Sequence, residues 1–126
     1  MISAISITLF KDLAQCNYNN QYYDFHNNYS CDKILYSDGI LLIILKSLVN
    51  EDLLVLKFAD VKLNVLVFFN VKEEKDLTID NLYRGRGLLN GDLIEMSEDG
   101  KAYFYLEFYE GQKLEFWAKS MSVEPG

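Results

Sequence analysis

Proline is nearly missing from this chain: Pro125 is the only one in 126 residues. No Pro-rich linker divides the sequence, so a single domain over residues 1–126 is expected, burying about two thirds of the surface its unfolded form exposes. Cysteine is scarce as well. Cys16 and Cys31 stand alone, too few for the disulfide framework of a small secreted domain, and reduced thiols in a cytoplasmic protein are expected. With His26 as the sole imidazole there is no zinc or haem ligand pattern, and neither a metal nor another cofactor is expected. Positive charge runs short: 12 Lys and Arg face 19 Asp and Glu, a net charge of −7. That balance repels phosphate backbones, which argues against nucleic acid, and suits either simple solubility or steered attraction to a basic protein partner. Long apolar runs are missing too. The stretch Gly39 to Leu45 is closed by Lys46, well below the roughly 20 residues a bilayer span needs. The apolar Met1 to Phe10 segment lacks the basic start and small-residue cleavage site of a secretory signal, and reads as a strand. No membrane association is expected.

What the chain does have is glycine placed as punctuation. Asp38-Gly39, Asn90-Gly91, Asp99-Gly100 and Glu110-Gly111 each separate runs rich in β-branched and aromatic residues, where a left-handed backbone reverses a strand. The last of these can be tested for register, because residues opposite one another share a face of the sheet. A loop of Tyr109-Glu110-Gly111 sets Leu106 against Leu114, Phe104 against Phe116 and Ala102 against Ala118, making one face wholly apolar. The other face pairs Glu107 with Lys113, Tyr105 with Glu115 and Tyr103 with Trp117, all acceptable cross-strand neighbours. The same test at Glu98-Asp99-Gly100 sets Met96 against Ala102 and Ile94 against Phe104. A two-residue turn at Asn90-Gly91 sets Leu88 against Leu93 and Arg86 against Glu95. These pairings predict a meander from about Leu82 to Lys119, with a bend at Tyr83-Arg84-Gly85-Arg86-Gly87, where strand glycines mark a bulge or a close approach.

Upstream, Lys33 to Tyr36, Ile40 to Leu45 and Leu53 to Phe58 read as further strands. Val61 to Val71 is apolar on both sides and reads as a central strand covered on both faces. Asn17 to Tyr29 alternates Asn with Tyr and Phe and reads as a long loop holding a brief strand around Tyr23 and Phe25. The predicted fold class is therefore all-β, an antiparallel meander forming a sandwich or partly open barrel, with at most a short helix near Phe10 to Cys16.

Chemistry has few footholds. His26 is the only usual neutral-pH base; Cys16, Cys31 and Asp24 lie near it in sequence, but a lone His is more often a polar structural residue. Glu51-Asp52, Glu73-Glu74 and Glu98-Asp99 all fall at predicted turns, where carboxylates are solvated. Arg84-Gly85-Arg86-Gly87 lacks a following helix N-terminus to cradle a phosphate, leaving at most a weak anion contact. No catalytic residue is assigned, and a non-enzymatic protein is expected.

The outer face of the meander is the functional candidate. Its register gathers Arg86, Glu95, Tyr103, Tyr105, Glu107, Lys113, Glu115 and Trp117, and Tyr, Trp and Arg are the types most enriched at binding hot spots. The same pairs also stabilise a solvent-facing sheet with no partner at all, and a carbohydrate surface has a similar composition. In size, acidity, Leu- and Asn/Lys-leaning usage and an aromatic meander through Leu77 to Val123, the chain resembles the small β-rich immunity proteins encoded beside bacterial polymorphic toxins. That resemblance implies inhibition of a basic toxin domain by covering its active surface. The competing expectation is a β-domain that binds a carbohydrate or small apolar ligand, on this patch or in a cavity between sheets.

Overall fold

The computed structural model describes residues 1–67, 77–85, 88–89, 92–93 and 99–126. In chain order the strands are β1 (Ile2–Ser3), β2 (Gln15–Tyr18), β3 (Gln21–Asp24), β4 (Tyr29–Ser37), β5 (Ile40–Ser47), β6 (Leu53–Ala59) and β7 (Lys62–Val67). They continue with β8 (Ile79–Arg84), β9 (Leu88–Leu89), β10 (Asp92–Leu93), β11 (Ala102–Phe108), β12 (Lys113–Ala118) and β13 (Ser120–Pro125). One sheet runs β1-β13-β6-β5-β4 and a second runs β7-β12-β11-β8, while β2-β3 and β9-β10 form separate hairpins. Every one of these strand pairs is antiparallel. The architecture is an all-β sandwich.

Turn chemistry explains the hairpins. Ser37 pairs with Ile40, so Asp38 and Gly39 form the whole loop, with φ of 51° and 75°. Two successive left-handed residues make a turn whose twist matches that of the flanking strands. At the C-terminal hairpin Phe108 N–H donates to Gln112 O at 2.8 Å and Gly111 N–H donates to Phe108 O at 2.9 Å, with Gly111 at φ 100°. That is the three-residue loop expected from the sequence, and the six expected pairings from Ala102↔Ala118 to Glu107↔Lys113 are all present.

The apolar faces of the two sheets meet. Leu41, Ile43, Leu45, Leu56 and Phe58 from one sheet, and Leu82, Phe104, Leu106, Leu114 and Phe116 from the other, are buried. Phe58 packs edge-on against Phe104 at 5.1 Å and Phe116 at 4.8 Å between ring centroids, a favoured aromatic geometry that joins the layers.

Four expectations are corrected. Phe104 is flanked by Phe116 and by Arg84, so both its edges are taken and Ile94 cannot stand opposite it. The neighbour of β11 is β8, which arrives from about 20 residues upstream in sequence; Ile94 and Met96 themselves lie outside the described residues. Among the described residues strand β7 is an edge strand, not a central one, and its Leu66 is exposed; residues 68–71 of the expected run lie outside the described residues. The N-terminal run pairs only over Ile2–Ser3 before a 3-10 turn at Ala4–Ser6; Phe10 to Cys16 holds no helix, which is within the expected limit of at most a short one. The brief strand expected near Tyr23 is β3, but it is not set in one long loop: it pairs with β2, and Asn19 and Asn20, at φ 51° and 65°, form the two-residue turn of that hairpin. Asparagine is the side chain that best tolerates such a turn after glycine.

The expected Leu88↔Leu93 pairing is present. The bend at residue 85 is also a close approach: Gly85 N–H donates to Tyr103 O at 2.9 Å, and a Cβ at Gly85 would run into the Phe10 ring.

Candidate partner-binding face

Alternation in β8, β11 and β12 sends one set of side chains into the core and the other outward. On the outward side the register sets Trp117 beside Tyr103, Glu115 beside Tyr105, and Lys113 beside Glu107. From β8 it adds Tyr83 beside Tyr105 and Asn81 beside Glu107.

These side chains form a connected network. The Tyr83 and Tyr105 rings stack with centroids 5.0 Å apart, and Tyr103 meets Trp117 edge-on at 5.0 Å. Tyr105 hydroxyl donates to Glu107 Oε2 at 3.0 Å, while Asn81 Nδ2 donates to Glu107 Oε1 at 3.0 Å. Tyr103 hydroxyl donates to Glu115 Oε1 at 2.8 Å and accepts from Asn64 Nδ2 at 2.8 Å. Lys113 Nζ lies 3.6 Å from Glu115 Oε2. Each carboxylate is therefore oriented through both of its oxygens, which fixes where its negative charge points. Burial, the Glu107 hydrogen bond and the charges of Glu107, Tyr83 and Glu115 push the Tyr105 phenol up to about 12. It is a donor at any physiological pH.

Of the residues expected on this face, Tyr105, Glu107, Glu115 and Trp117 are half-buried and stand together. Tyr103 is on the face but only 1% exposed, so it is a support beneath the surface and cannot itself meet a partner. Its hydroxyl is consumed by Asn64 and Glu115, which is what makes burial of a phenol tolerable. Arg86 and Glu95 lie outside the described residues. Asn81 and Tyr83 were missed, because the sequence register placed the wrong strand beside β11. Their signal was the turn-free run Ile79–Arg84, whose alternation offers Asn81 and Tyr83 to one face.

The other candidates do not converge. His26 Nδ1 lies 2.7 Å from Ile79 O, and since a carbonyl only accepts, Nδ1 carries the proton. The ring ties the β3-β4 connection to β8. Burial alone would raise Asp24, but hydrogen bonds from the Asn27 side chain and backbone, Gln15 and the His26 backbone together hold it below the ordinary carboxylate range. It shapes a turn. Cys16 and Cys31 are free, buried thiols, and burial, reinforced by Asp32, pushes Cys31 up to about 12, leaving it almost no nucleophilic thiolate. Arg84 Nη1 donates to Ile5 O and Ile7 O at 2.9 and 2.8 Å, so this guanidinium holds the N-terminal segment. Among the described residues no group of three or more His, Cys, Asp and Glu assembles that could hold a metal ion, and no helix is long and apolar enough to cross a membrane.

No protein-family model, curated protein or solved structure matches this chain.

Proposed function

We propose that this chain is a non-enzymatic protein-binding module of the immunity type, which neutralises a cognate bacterial toxin by laying its outer β8-β11-β12 face over the toxin's basic active surface. The observation that carries this reading is the pair of carboxylates, Glu107 and Glu115, held by tyrosine hydroxyls beside the half-buried rings of Tyr105 and Trp117. Oriented carboxylates match the fork of an arginine, and rigid aromatic rings supply contact area at little cost in side-chain entropy. The net charge of −7 adds steering towards a basic partner. A cytoplasmic site of action goes with this reading.

The alternative, a carbohydrate- or small-ligand-binding domain, has less support at the places it needs. Tyr103 is buried and Tyr105 is covered on one side by Tyr83, and Phe58, Phe104 and Phe116 fill the space between the sheets where a cavity would lie.

The test mixes the purified chain with the toxin domain encoded by the adjacent coding sequence, at low and high salt. The expected complex associates fastest at low salt, and Glu107→Gln with Glu115→Gln slows association while leaving the fold intact. Trp117→Ala should weaken binding by about 2 kcal/mol or more, the scale of a hot-spot residue. A partner that binds both variants as tightly as the parent chain would remove this face from the interaction.

A further inference from the structure

A groove of about 450 Å3 opens where β3, the start of β4, the β5-β6 connection and the end of β13 meet. Tyr23 and Tyr29 form its aromatic side, Ser47, Asn50 and Asp52 its polar side, and Leu54 is part of its lining. No lysine or arginine stands among its described lining residues. It shares no residue with the Trp117 face.

Both tyrosines are braced on one ring. Tyr23 stacks on Phe25 at 5.7 Å and Tyr29 meets Phe25 edge-on at 6.0 Å, while Phe25 itself is fully buried. The rings are thereby held at fixed angles. The connection carrying Asp52 is pinned just as firmly through its backbone: Asp52 N–H donates to Asn50 Oδ1 at 3.0 Å, and Ser47 N–H donates to Asp52 O at 2.9 Å. Ser47 Oγ accepts the Val49 N–H at 3.2 Å. The Asp52 carboxylate takes no part in this turn and makes no ion pair among the described residues. Burial, then the nearby charges of Tyr23 and Asp52, raise the Tyr29 phenol, as expected if the two hydroxyls and the carboxylate face one shared space.

A pocket with aromatic walls, one carboxylate and no cation of its own is suited to a positive ligand. The rings attract a cation through their π faces and the carboxylate supplies the counter-charge. A neutral sugar could use the amides but would gain nothing from Asp52, and an anion would be repelled. We propose that this groove binds an organic cation, an ammonium or guanidinium group lodged between Tyr23 and Tyr29 with Asp52 opposite. The source is either a small free ammonium compound or a Lys or Arg side chain of a protein.

The test records amide NMR spectra of the full chain during titration with tetramethylammonium, N-acetyl-lysine amide and N-acetyl-arginine amide at constant ionic strength. Glucose and acetate serve as neutral and anionic controls. The cations should produce saturable shifts at Tyr29, Asp52 and Leu54, and the controls should not. Asp52→Asn, whose backbone bonds are unchanged, should weaken cation binding at least about fivefold, and its spectrum elsewhere shows that it is folded. Tyr29→Phe, which keeps the ring, should bind within about threefold of the parent. Tighter binding of the amino-acid amides identifies a protein side chain as the source; tighter binding of tetramethylammonium identifies a free small cation. Absence of saturable cation shifts, equal binding by Asp52→Asn, or a preference for glucose would overturn the proposal.

Discussion

The two outer faces of this sandwich are built on the same plan and differ in what holds them. On the four-stranded sheet, Tyr83, Tyr105, Glu107, Glu115 and Trp117 are stacked or hydrogen-bonded to a neighbour or to a partner beneath them. On the five-stranded sheet, the register brings together Leu35, Leu42 and Lys57, then Lys33, Ile44 and Val55. Those lysines make no ion pair among the described residues. Aliphatic stems and solvated ammonium groups can shift independently, whereas a tyrosine whose hydroxyl is committed to a carboxylate cannot. The first face is thus ordered before anything binds, and the second is an ordinary half-wet sheet surface. Preordering is what lowers the entropy cost of recognition.

The comparison can be broken most severely from underneath. Phe58 joins the layers through Phe104 and Phe116, and it is fully buried. Phe58→Ala should cost about 3–5 kcal/mol, the range for deleting a buried aromatic ring. Urea unfolding followed by tryptophan fluorescence and by far-UV circular dichroism should show one shared, lowered midpoint. If the Trp117 signal kept its midpoint while the dichroism moved, the two sheets would be separate units and their faces could not be compared within one fold.

A smaller effect tests the network itself. Tyr103→Phe removes one oxygen and leaves Asn64 Nδ2 and Glu115 Oε1 without their partner. The expected loss is about 1–3 kcal/mol, the worth of a hydrogen bond to a charged carboxylate, since water can reach the exposed Asn64 amide but only partly replaces the bond to half-buried Glu115. A loss below about 0.5 kcal/mol, the usual scale of surface changes, would mean that the face is not held by this hydroxyl.

How much of this was legible beforehand depended on the distance between partners in sequence. The β11-β12 register could be read residue by residue, because the loop is three residues long and a one-residue slip would set Leu106 against Glu115. No such arithmetic reaches from β11 back to β8. Met96 and Ile94 alternate as well as Leu82 does, so a local pattern offered the nearer strand and the fold used the farther one. Alternation likewise assigned Tyr103 to the outer face but was silent on what covers it, and burial is the property that decides its role. The Asn19-Asn20 turn had a signal in asparagine's tolerance of left-handed backbone, obscured by the run of asparagines around it. The groove of Tyr23, Tyr29 and Asp52 had none, since the β2-β3 hairpin and the β5-β6 connection come together only in three dimensions.

Alkaline titration probes the network face beside the core, through one raised group in each. The Cys31 thiol goes from an ordinary 9.0 to about 12 in the fold and the Tyr105 phenol from 10.0 to about 12. Both are raised, so the fold favours their neutral forms: that stability is fully present below the unfolded values and is lost as pH rises through the folded ones. The urea midpoint should therefore hold to about pH 9 and fall towards about pH 12. Cys31→Ala should flatten the onset of that fall and Tyr105→Phe its later part. An unchanged slope in Tyr105→Phe would mean that burial and Glu107 together do not keep its hydroxyl protonated.

The smallest effect is expected on the aliphatic face. Leu42 is half-buried between Leu35 and Lys57 and has no polar partner to strand. Leu42→Thr introduces a β-branched side chain suited to a strand and exchanges half-buried methyl groups for a hydroxyl that water can satisfy. The midpoint should move by no more than about 0.5 kcal/mol, against the larger loss at Tyr103. A loss comparable to that of Tyr103→Phe would show that the aliphatic face is covered in solution, and the contrast between a preordered surface and a wet one would then fail on its second side.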